Sequence, residues 1–320
     1  MVGPKSAPLV SVVMSVYDPP PGALDTAIQS IVGQTFRDFE FLILNDGSRN
    51  VHIRDHLNRW ASKDDRLRVF HEPHRGLTPM LNRGLALARG EFIARQDADD
   101  WSEPDRLSCQ LRYLRQHPRI ALAGTDTQLH RADGKPLWRV RPPRAPADVA
   151  QAFSKGNPLV HGSTMFRREL ALQIGGYREE FPCSQDYDFF WRLMEVGRAV
   201  NLDQVLYHYR YTGGAVSAHR AADQARVQRA ARTLAAARKR GEPEDIQAAL
   251  EEASDETLSE AFRASLKQAD HLMLAGDFRG ARKSYVRLLQ SHPSSGLAWA
   301  KILRLAVFAA LPPAREVSFR

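Results

Sequence analysis

The run Asp97-Ala98-Asp99-Asp100 places three carboxylates within four positions of the sequence. Carboxylates this close repel one another unless a cation lies among them. Hard oxygen ligands favour Mg²⁺ or Mn²⁺, which proteins commonly share with the phosphates of a substrate. The alternative is structural, because Asp favours turns and Asp100 or Ser102 would cap the next helix. The density of carboxylates favours a divalent metal site.

Polar side chains also follow three earlier apolar segments. Tyr17-Asp18 follows the first, Asn45-Asp46-Gly47-Ser48 the second, and His74-Arg75-Gly76 the third. In an open α/β sheet, ligands bind beyond the carboxyl ends of the strands. We therefore expect these residues and the Asp97–Asp100 run to lie along one rim of a sheet. Turn formation would explain Asn45-Asp46-Gly47 alone, but not the whole set.

The elements that would position this rim alternate between strand and helix. Short apolar, β-branched runs predict buried strands, and apolar residues at helical spacing between them predict helices. This alternation predicts an α/β fold with a mostly parallel sheet and helices on both faces. The predicted strands are Val10–Val16, Phe39–Leu44, Leu67–Phe70, Glu91–Ala94 and Ile120–Gly124, and the predicted helices include Val51–Trp60 and one from Pro104 to His117.

Glycine motifs that bind phosphate do not occur in the sequence. Asp18-Pro19-Pro20-Pro21-Gly22 stands where a dinucleotide-binding G-x-G-x-x-G would follow the first strand. No P-loop, H-E-x-x-H or G-x-S-x-G motif is present either. Proteins that bind phosphate through a metal ion, and not through a glycine loop, form a smaller class.

The composition is that of a basic globular protein. The 320 residues carry 45 basic and 37 acidic side chains, and the net charge of +8 favours anionic partners such as nucleotides, nucleic acid or lipid headgroups. Two cysteines, Cys109 and Cys183, cannot form a disulfide framework. Since neither a signal peptide nor a membrane span is predicted, we expect a cytoplasmic protein that is peripheral, at most, at the inner face of the membrane.

The composition changes near residue 218, which divides the chain into an α/β domain, 1–218, and a helical extension, 219–320. Residues 219–241 hold seven Lys/Arg and one Asp, whereas residues 242–260 hold eight carboxylates and no basic residue. Helical faces of opposite charge are predicted to pair with each other. No aromatic residues interleave the cations for base stacking, so nucleic-acid binding is not expected.

The extension includes a segment from Gly276 to Pro293 that is typical of half a tetratricopeptide repeat, and one such hairpin is visible. An apolar helix with two cations, Lys301 and Arg304, follows it. This helix is too short to span a membrane, but it would suit a membrane interface or a protein contact, with Trp299 as an anchor. The alternative, which we favour, is packing against the hairpin. Its apolar residues are Leu297, Trp299, Ile302, Leu303, Leu305, Val307 and Phe308.

Taken in order, the motifs resemble the inverting glycosyltransferase family two, whose members have the GT-A fold. The resemblance covers residues 9 to about 217 and makes residues 1–218 the expected catalytic domain. It implies transfer of a sugar from a nucleotide-diphosphate donor, a UDP-sugar, to a hydroxyl of a saccharide or lipid-linked acceptor. It further implies a place in cell-surface polysaccharide or lipopolysaccharide synthesis. The segments that carry it are Val12–Tyr17, Gln29–Thr35, Asn45–Ser48, Gly76–Gly84, Asp97–Asp100, His161–Arg168, Ser184–Asp188 and a closing loop from Tyr209 to Ser217.

The same resemblance implies which residues bind the donor nucleotide. Tyr17 and Asp46 would hold the nucleobase, usually uracil, with Asp18 and Arg75 beside them. Asp97 would contact the ribose. These five residues are the candidate nucleotide site.

The resemblance also implies a metal ligand and a base. Asp99 would bind the Mn²⁺ or Mg²⁺ that bridges the diphosphate, and Asp186 would take the proton of the acceptor hydroxyl. Two positions depart from the family: Gln185 replaces a common Glu, and Thr212 replaces a common His in the closing loop.

Helical spacing separates the two carboxylates of Asp186-Tyr187-Asp188, in a helix predicted to begin at Ser184. Asp186 shares the apolar stripe, so it faces inward, and partial burial would raise its pKa toward the range of a general base. Asp188 shares a face with Arg192 and Glu195, which predicts a solvated position and a pair with Arg192. The alternative is that both carboxylates have no catalytic role and occur there only because the positive N-terminal end of the helix dipole stabilises their charge. The apolar stripe comprises Phe189, Phe190 and Leu193.

A second functional class competes with the enzyme. The chain would then be a non-catalytic sugar-nucleotide-binding protein whose helical tail recruits partners. The intact Asp97–Asp100 run and Asp186 favour the enzyme.

Overall fold

The computed structural model describes residues 7–20, 22–211, 221–254 and 277–310, together with 262, 265, 266, 269, 270, 272 and 273. Its strands are Val10–Val16 (β1), Phe39–Asp46 (β2), Leu67–Glu72 (β3), Phe92–Asp97 (β4), Trp101–Ser102 (β5), Ile120–Arg131 (β6), Pro136–Val140 (β7), Met165–Arg167 (β8) and Arg198–Tyr211 (β9). Its helices are Ala23–Val32 (α1), His52–Ala61 (α2), Leu77–Leu87 (α3), Arg106–Gln116 (α4), Pro146–Phe153 (α5), Arg168–Gln173 (α6), Gln185–Val196 (α7), Ala221–Arg240 (α8), Ile246–Glu252 (α9), Phe278–Ser291 (α10) and Gly296–Ala310 (α11).

The described strands form one sheet in the order β3-β2-β1-β4-β8-β6-β9-β5, and β7 pairs with β6. Strands β3, β2, β1 and β4 are parallel, as the alternation of strand and helix predicts. Beyond β4 the pairing changes, because β8 runs antiparallel to both β4 and β6, and β5 runs antiparallel to β9. The α/β class and the C-terminal helices are confirmed.

Helices cover both faces of the parallel strands. Along β1, Val10, Val12, Met14 and Val16 pack in one core cluster with apolar side chains of α1, α2 and α4. Val13 points to the opposite face, toward α3. A Cβ on Gly84 of α3 would lie 2.4 Å from the Val13 side chain, so the glycine permits close packing of this helix on the sheet.

Several strands continue beyond their predicted ends. Asn45 and Asp46 stay in β2 opposite His71 and Glu72 of β3, and Gln96 and Asp97 stay in β4 opposite β1. Strand β6 continues to Arg131, through Thr125, Asp126 and Thr127, all of them buried. These polar residues end the apolar pattern, whereas the backbone ladder continues because hydrogen bonding does not depend on the side chain.

The structure divides into two compact units. One unit comprises Met1–Thr127 and Arg141–Tyr209, and the other comprises Gln128–Val140 and Arg210–Arg320. The predicted boundary at residue 218 lies among residues outside the described part of the chain, and it stays a prediction. The closing-loop residues from Thr212 to Ser217 lie outside it too, as do Arg220 and Gly276.

In the second unit, the basic α8 and the acidic segment after it do pair. Arg238 forms an ion pair with Glu244, and Arg240 binds Glu242 at 2.6 Å. Arg229 of α8 donates to the carbonyl of Ala253, 2.7 Å away. Opposite charges therefore meet at the end of α8, but Glu242 and Glu244 lie in the loop before α9, so the pairing of charged helical faces stays a prediction.

Helix α11 packs on the tetratricopeptide-like hairpin, as the favoured alternative predicts. Ala298 is fully buried, and Ile302 packs against a cluster that includes Tyr285 and Leu288 of α10. The side chains of Leu305, Val307 and Phe308 lie outside the described part of the chain. Within the part that is described, no helix combines the length and hydropathy needed to cross a membrane.

A buried carboxylate joins the amino ends of the parallel strands. Glu40 of β2 accepts hydrogen bonds from Ser11 Oγ at 2.7 Å, Arg68 Nη1 at 2.6 Å and the backbone N–H of Arg89 at 2.7 Å. Burial alone would raise the pKa of Glu40, but these bonds together lower it below its ordinary value. Its charge therefore stabilises the fold.

We expect Glu40→Gln to lower the free energy of unfolding by about 2 kcal/mol at pH 7, because it leaves buried donors without a charged acceptor. Since the folded pKa is lowered, the stabilisation is present above the unfolded pKa and is lost as the pH falls through the folded pKa. Urea unfolding at pH 7 and at pH 3 would measure both effects. Glu72→Gln, which removes the more exposed pair with Arg83, is the matched control and should cost less than about 1 kcal/mol. Equal losses in the two variants would contradict this account.

Candidate active site

The predicted rim exists at the carboxyl edge of the parallel strands. Val16 pairs with Asn45, Ser15 with Asp97, and Asp46 with Glu72, so the ends of β1, β2, β3 and β4 are level. Tyr17, Asp46 and Asp97 therefore lie on the same edge of the sheet, as the sequence predicts. Ligands of open α/β sheets bind at such an edge.

At one end of the rim an aromatic side chain faces solvent. The ring of Tyr17 is 39% exposed and stacks on His74, with ring centroids 4.1 Å apart and an angle of 19° between the planes. The guanidinium of Arg49 lies 5.7 Å from the centre of the Tyr17 ring. A flat, partly exposed aromatic surface of this kind can stack on a nucleobase.

Asp46 lies buried behind that surface. Its carboxylate accepts hydrogen bonds from the backbone N–H of Arg75 at 2.7 Å and of Gly76 at 3.0 Å, and its Oδ2 lies 3.0 Å from His74 Nδ1. Gly47 permits this close approach, because a Cβ at position 47 would lie 2.6 Å from the backbone nitrogen of His74. Asp46 therefore fixes the loop that carries His74 and Arg75.

Asp18 and Arg75 occupy different environments. Asp18 has a left-handed backbone (φ +41°) and accepts from the Asn50 N–H at 3.1 Å and from Arg49 Nε at 2.9 Å. These two bonds lower the pKa of the Asp18 carboxyl. Asp18 thus braces the loop after β2, whereas Arg75 has an exposed side chain 4.0 Å from Glu179.

Beneath the Asp97–Asp100 run lie two buried arginines. Arg95 Nη2 binds Asp97 Oδ1 at 2.6 Å, and the Tyr207 hydroxyl donates to Asp100 Oδ2 at 2.9 Å. Arg106 is fully buried beneath them, with its guanidinium 5.0 Å from the Tyr207 ring. Arg95 and Arg106 thus supply positive charge to Asp97 and Asp100 from within the protein, so repulsion among these carboxylates does not by itself demand a metal, and the metal site at Asp99 stays a prediction.

Arg106 also fastens together the elements that end at the rim. It donates to the carbonyls of Arg95 at 2.7 Å and Thr164 at 3.1 Å, and to Ser102 Oγ at 2.9 Å. Burial lowers the pKa of its guanidinium to about 10, so it stays a cation at neutral pH.

Asp186 lies in the first turn of α7, after Ser184, whose backbone is left-handed with a φ of +51°. Its carboxylate is partly buried, and Oδ2 accepts a hydrogen bond from Asn157 Nδ2 at 2.7 Å. Burial raises the pKa of Asp186 to about 6, and the negative charge of Asp97 adds to the effect. The predicted partial burial and raised pKa are confirmed.

Asp188 does not lie on a solvated face, so that prediction is wrong. It is fully buried, and it binds Arg192 at 2.6 Å and Arg178 at 3.2 Å. The predicted pair with Arg192 is confirmed. Charged residues at helical spacing indicated a solvent-facing side, but here the charges neutralise each other inside the protein.

Comparison with known proteins decides the family. Residues 11–175 match the family described as glycosyl transferase family 2. The chain belongs to glycosyl transferase family 2. The uncharacterized glycosyltransferase MJ1057 of Methanocaldococcus jannaschii is 33% identical over 195 residues, which cover 60% of this chain and 67% of that one. The amylovoran biosynthesis glycosyltransferase AmsE of Erwinia amylovora is 29% identical over 204 residues, with 63% and 76% covered.

A solved structure supports the same fold. The mannosyltransferase PcManGT from Pyrobaculum calidifontis, in complex with GDP-Man and Mn²⁺, superposes with a TM-score of 0.54 at 19% identity, and the match covers 97% of this chain and 82% of that chain. The resemblance to family two and the GT-A fold are confirmed.

The donor set at the rim of this family-two chain suits a metal that is shared with a substrate. Among the described residues, no three His, Cys, Asp or Glu side chains form a group that could enclose an ion. Asp99 presents a partly exposed carboxylate at the carboxyl edge, next to Asp97. Mg²⁺ and Mn²⁺ accept one or two carboxylates when a diphosphate supplies the remaining oxygens, so the residues present fit such an ion.

Sequence reasoning missed several side chains of the family-two site. Asn157 lies in a proline-rich, basic segment without periodicity, and nothing in its neighbours indicates a contact with Asp186. His161 does lie in a matching motif. It is partly buried, with Nε2 3.0 Å from the Tyr177 hydroxyl, and desolvation lowers its pKa well below the ordinary value. Gly162 packs against the rim, because a Cβ there would lie 2.5 Å from Asp97 Oδ2.

We expect Asp188→Asn and Asp186→Asn to affect stability in different ways. Asp188→Asn leaves two arginines without their buried partner and should cost about 3–5 kcal/mol. Asp186→Asn should be neutral or stabilising at pH 8, because the raised pKa means that folding disfavours the charged form. Thermal unfolding of both variants beside the wild type would measure this. A larger loss for Asp186→Asn would contradict the environments described.

Proposed function

We propose that this family-two chain is a metal-dependent inverting glycosyltransferase of the hexosyltransferase type. It moves a sugar from a nucleoside diphosphate donor, a UDP-sugar, to an acceptor hydroxyl of a saccharide or lipid-linked glycan. Residues 1–218 carry the reaction and residues 219–320 form a helical extension. The single observation that carries the proposal is the environment of Asp186.

Asp186 has the properties that a general base needs. One carboxylate oxygen is held by the neutral Asn157, so the side chain is oriented without a cation that would keep it from taking a proton. With a pKa of about 6, it is ionised at neutral pH and still basic enough to accept a proton. The electrostatic effect of Asp97 on Asp186 supports its proximity to the rim.

The reaction then follows from the positions of the charges. The acceptor oxygen attacks the anomeric carbon while its proton passes to Asp186. The bond between the anomeric carbon and the phosphate oxygen breaks, and its electron pair leaves with the nucleoside diphosphate. Attack opposite the leaving group inverts the anomeric carbon.

The donor would lie along the rim. Tyr17 would stack on the base, Asp46 would hold the His74–Gly76 loop against it, and Asp97 would meet the ribose. Asp18 would brace the loop beneath the base, and Arg75 would lie next to the nucleotide. Asp99 would hold a divalent cation, Mn²⁺ or Mg²⁺, which when bound would supply Lewis-acid stabilisation of the charge on the leaving diphosphate. The complex of the mannosyltransferase with GDP-Man and Mn²⁺ supports a nucleotide-sugar donor and a metal here.

The acceptor is assigned less specifically than the donor. The name of the Erwinia relative supports a place in polysaccharide synthesis. We propose that the product is a cell-surface polysaccharide or lipopolysaccharide, and that the enzyme works in the cytoplasm at the inner face of the membrane.

We expect Asp186→Asn to lower turnover by about a hundredfold or more, the usual scale for a positioned base, while donor affinity stays near the wild-type value. The measurement is release of nucleoside diphosphate from a panel of UDP- and GDP-sugars with Mn²⁺, with water or added saccharides as acceptor. Activity with UDP-sugars is expected. Activity with GDP-sugars alone would contradict the uridine assignment, and wild-type turnover in Asp186→Asn would contradict the base.

The pH profile gives an independent check of the same assignment. Turnover should rise as the pH increases through about 6 and then level off, because Asp186 must be deprotonated. Asn157→Ala removes a hydrogen bond that lowers the pKa of Asp186, so the acidic limb should move to higher pH. A limb that stays in place in this variant would count against Asp186 as the titrating group.

We expect Asp99→Asn to abolish the effect of Mn²⁺ on nucleotide affinity. Calorimetric titration with UDP, with and without Mn²⁺, reads this out without any turnover. Glu91→Gln is the matched control, because Glu91 precedes β4 at the opposite end of the same strand and its side chain is exposed. Mn²⁺ should strengthen UDP binding to the wild type and to the control, and an equal increase in Asp99→Asn would refute the metal assignment.

A further inference from the structure

The last two described helices present a surface that neither the fold nor the proposed reaction uses. We call it the hairpin surface. It combines cations of α10 with apolar side chains of α11, all of them exposed. Its members are Arg279, Arg282, Lys283, Arg287, Leu297, Trp299 and Leu303.

Helix α11 is apolar on two sides. Its inner side buries Ala298 and packs Ile302 against the cluster of α10. On the other side, Trp299 and Leu303 are 53% and 66% exposed, and they lie one turn apart on the same face. A helix that packs only against its neighbouring helix usually has a polar outer face. The apolar outer face therefore indicates a second burial surface.

The charge of α10 and α11 indicates which kind of partner the hairpin surface binds. Between residues 278 and 310 the sequence has six Lys/Arg and no Asp or Glu. Lys301 is neutralised by an ion pair with Asp270, and Asp277 caps α10 through the Gly280 N–H. The side chains of the four cations of α10 are exposed along its outer face, beside the exposed Val286.

The length of α11 restricts how it could meet lipid. Its 15 residues are shorter than the roughly 20 needed to cross a bilayer. A helix with an apolar face, an interfacial Trp and neighbouring cations instead lies in the plane of the headgroups.

We propose that the hairpin surface binds the headgroup region of an anionic lipid bilayer, with Trp299 and Leu303 inserted among the acyl chains. The cations of α10 face the lipid phosphates. A second copy of the chain fits less well, because two such surfaces would bring four cations against four others. This surface is independent of Asp186, Asp99 and the donor.

Vesicle sedimentation of the full chain tests the proposal. The wild type should bind vesicles that contain 30% phosphatidylglycerol and not vesicles of phosphatidylcholine alone. Trp299→Ser with Leu303→Ser should weaken binding at least tenfold, and Arg282→Gln with Lys283→Gln by roughly fivefold for each cation. The matched controls are Leu172→Ser with Val196→Ser and Arg112→Gln with Arg115→Gln, exposed residues of the other unit, and they should bind as the wild type.

A second measurement avoids the risk that the serine variants misfold. With brominated acyl chains in the vesicles, the fluorescence of an inserted Trp is quenched. The chain has five Trp, and the conservative Trp299→Phe should remove most of the quenching while binding persists. Unchanged quenching in Trp299→Phe, or equal binding to neutral vesicles, would overturn the proposal. A wild-type dimer in light scattering that Trp299→Ser with Leu303→Ser converts to a monomer would overturn it in favour of self-association.

Discussion

The carboxylates at the edge of the sheet depend on the arginines buried beneath them. Ionised groups inside a protein are tolerated only when they are paired and hydrogen-bonded. Arg95 holds Asp97, and Arg106 lies under Asp97 and Asp100 while it binds the carbonyls of Arg95 and Thr164. One guanidinium thus compensates charge and joins β4 to the segment before β8. Paired charges and hydrogen bonds therefore hold the rim of this family-two chain together.

Asp186 differs from Asp97 and Asp188 in the charge of its partner. Asp97 and Asp188 bind arginines, whereas Asp186 binds the neutral amide of Asn157. The Asn157 amide orients the carboxylate but lowers its pKa by less than burial raises it, so the pKa of Asp186 rises to about 6. The same fold therefore has carboxylates that hold structure together and one that is suited to exchange a proton.

In the second unit, basic and acidic residues occupy different stretches of the sequence. The cations near the end of α8 meet the carboxylates that follow, so much of that charge is used within the unit. Residues 278–310, which form α10 and α11, include no Asp or Glu, and Asp270 forms an ion pair with Lys301. What distinguishes the hairpin from an ordinary solvated helix pair is this unbalanced charge beside exposed apolar side chains.

The sequence by itself determined the parallel strands, their helices and the rim, because those follow from local periodicity and from the level ends of parallel strands. It also placed Asp186 and Asp188 on different faces of α7 and paired Asp188 with Arg192, four residues away. Only the tertiary structure showed that Asp188 is buried, that Arg106 lies beneath Asp100, and that Asn157 reaches Asp186 across 29 residues. Such contacts join segments that are distant in the chain, where no spacing rule relates the partners. They are decided by which elements pack against each other and by the need to pair each buried charge.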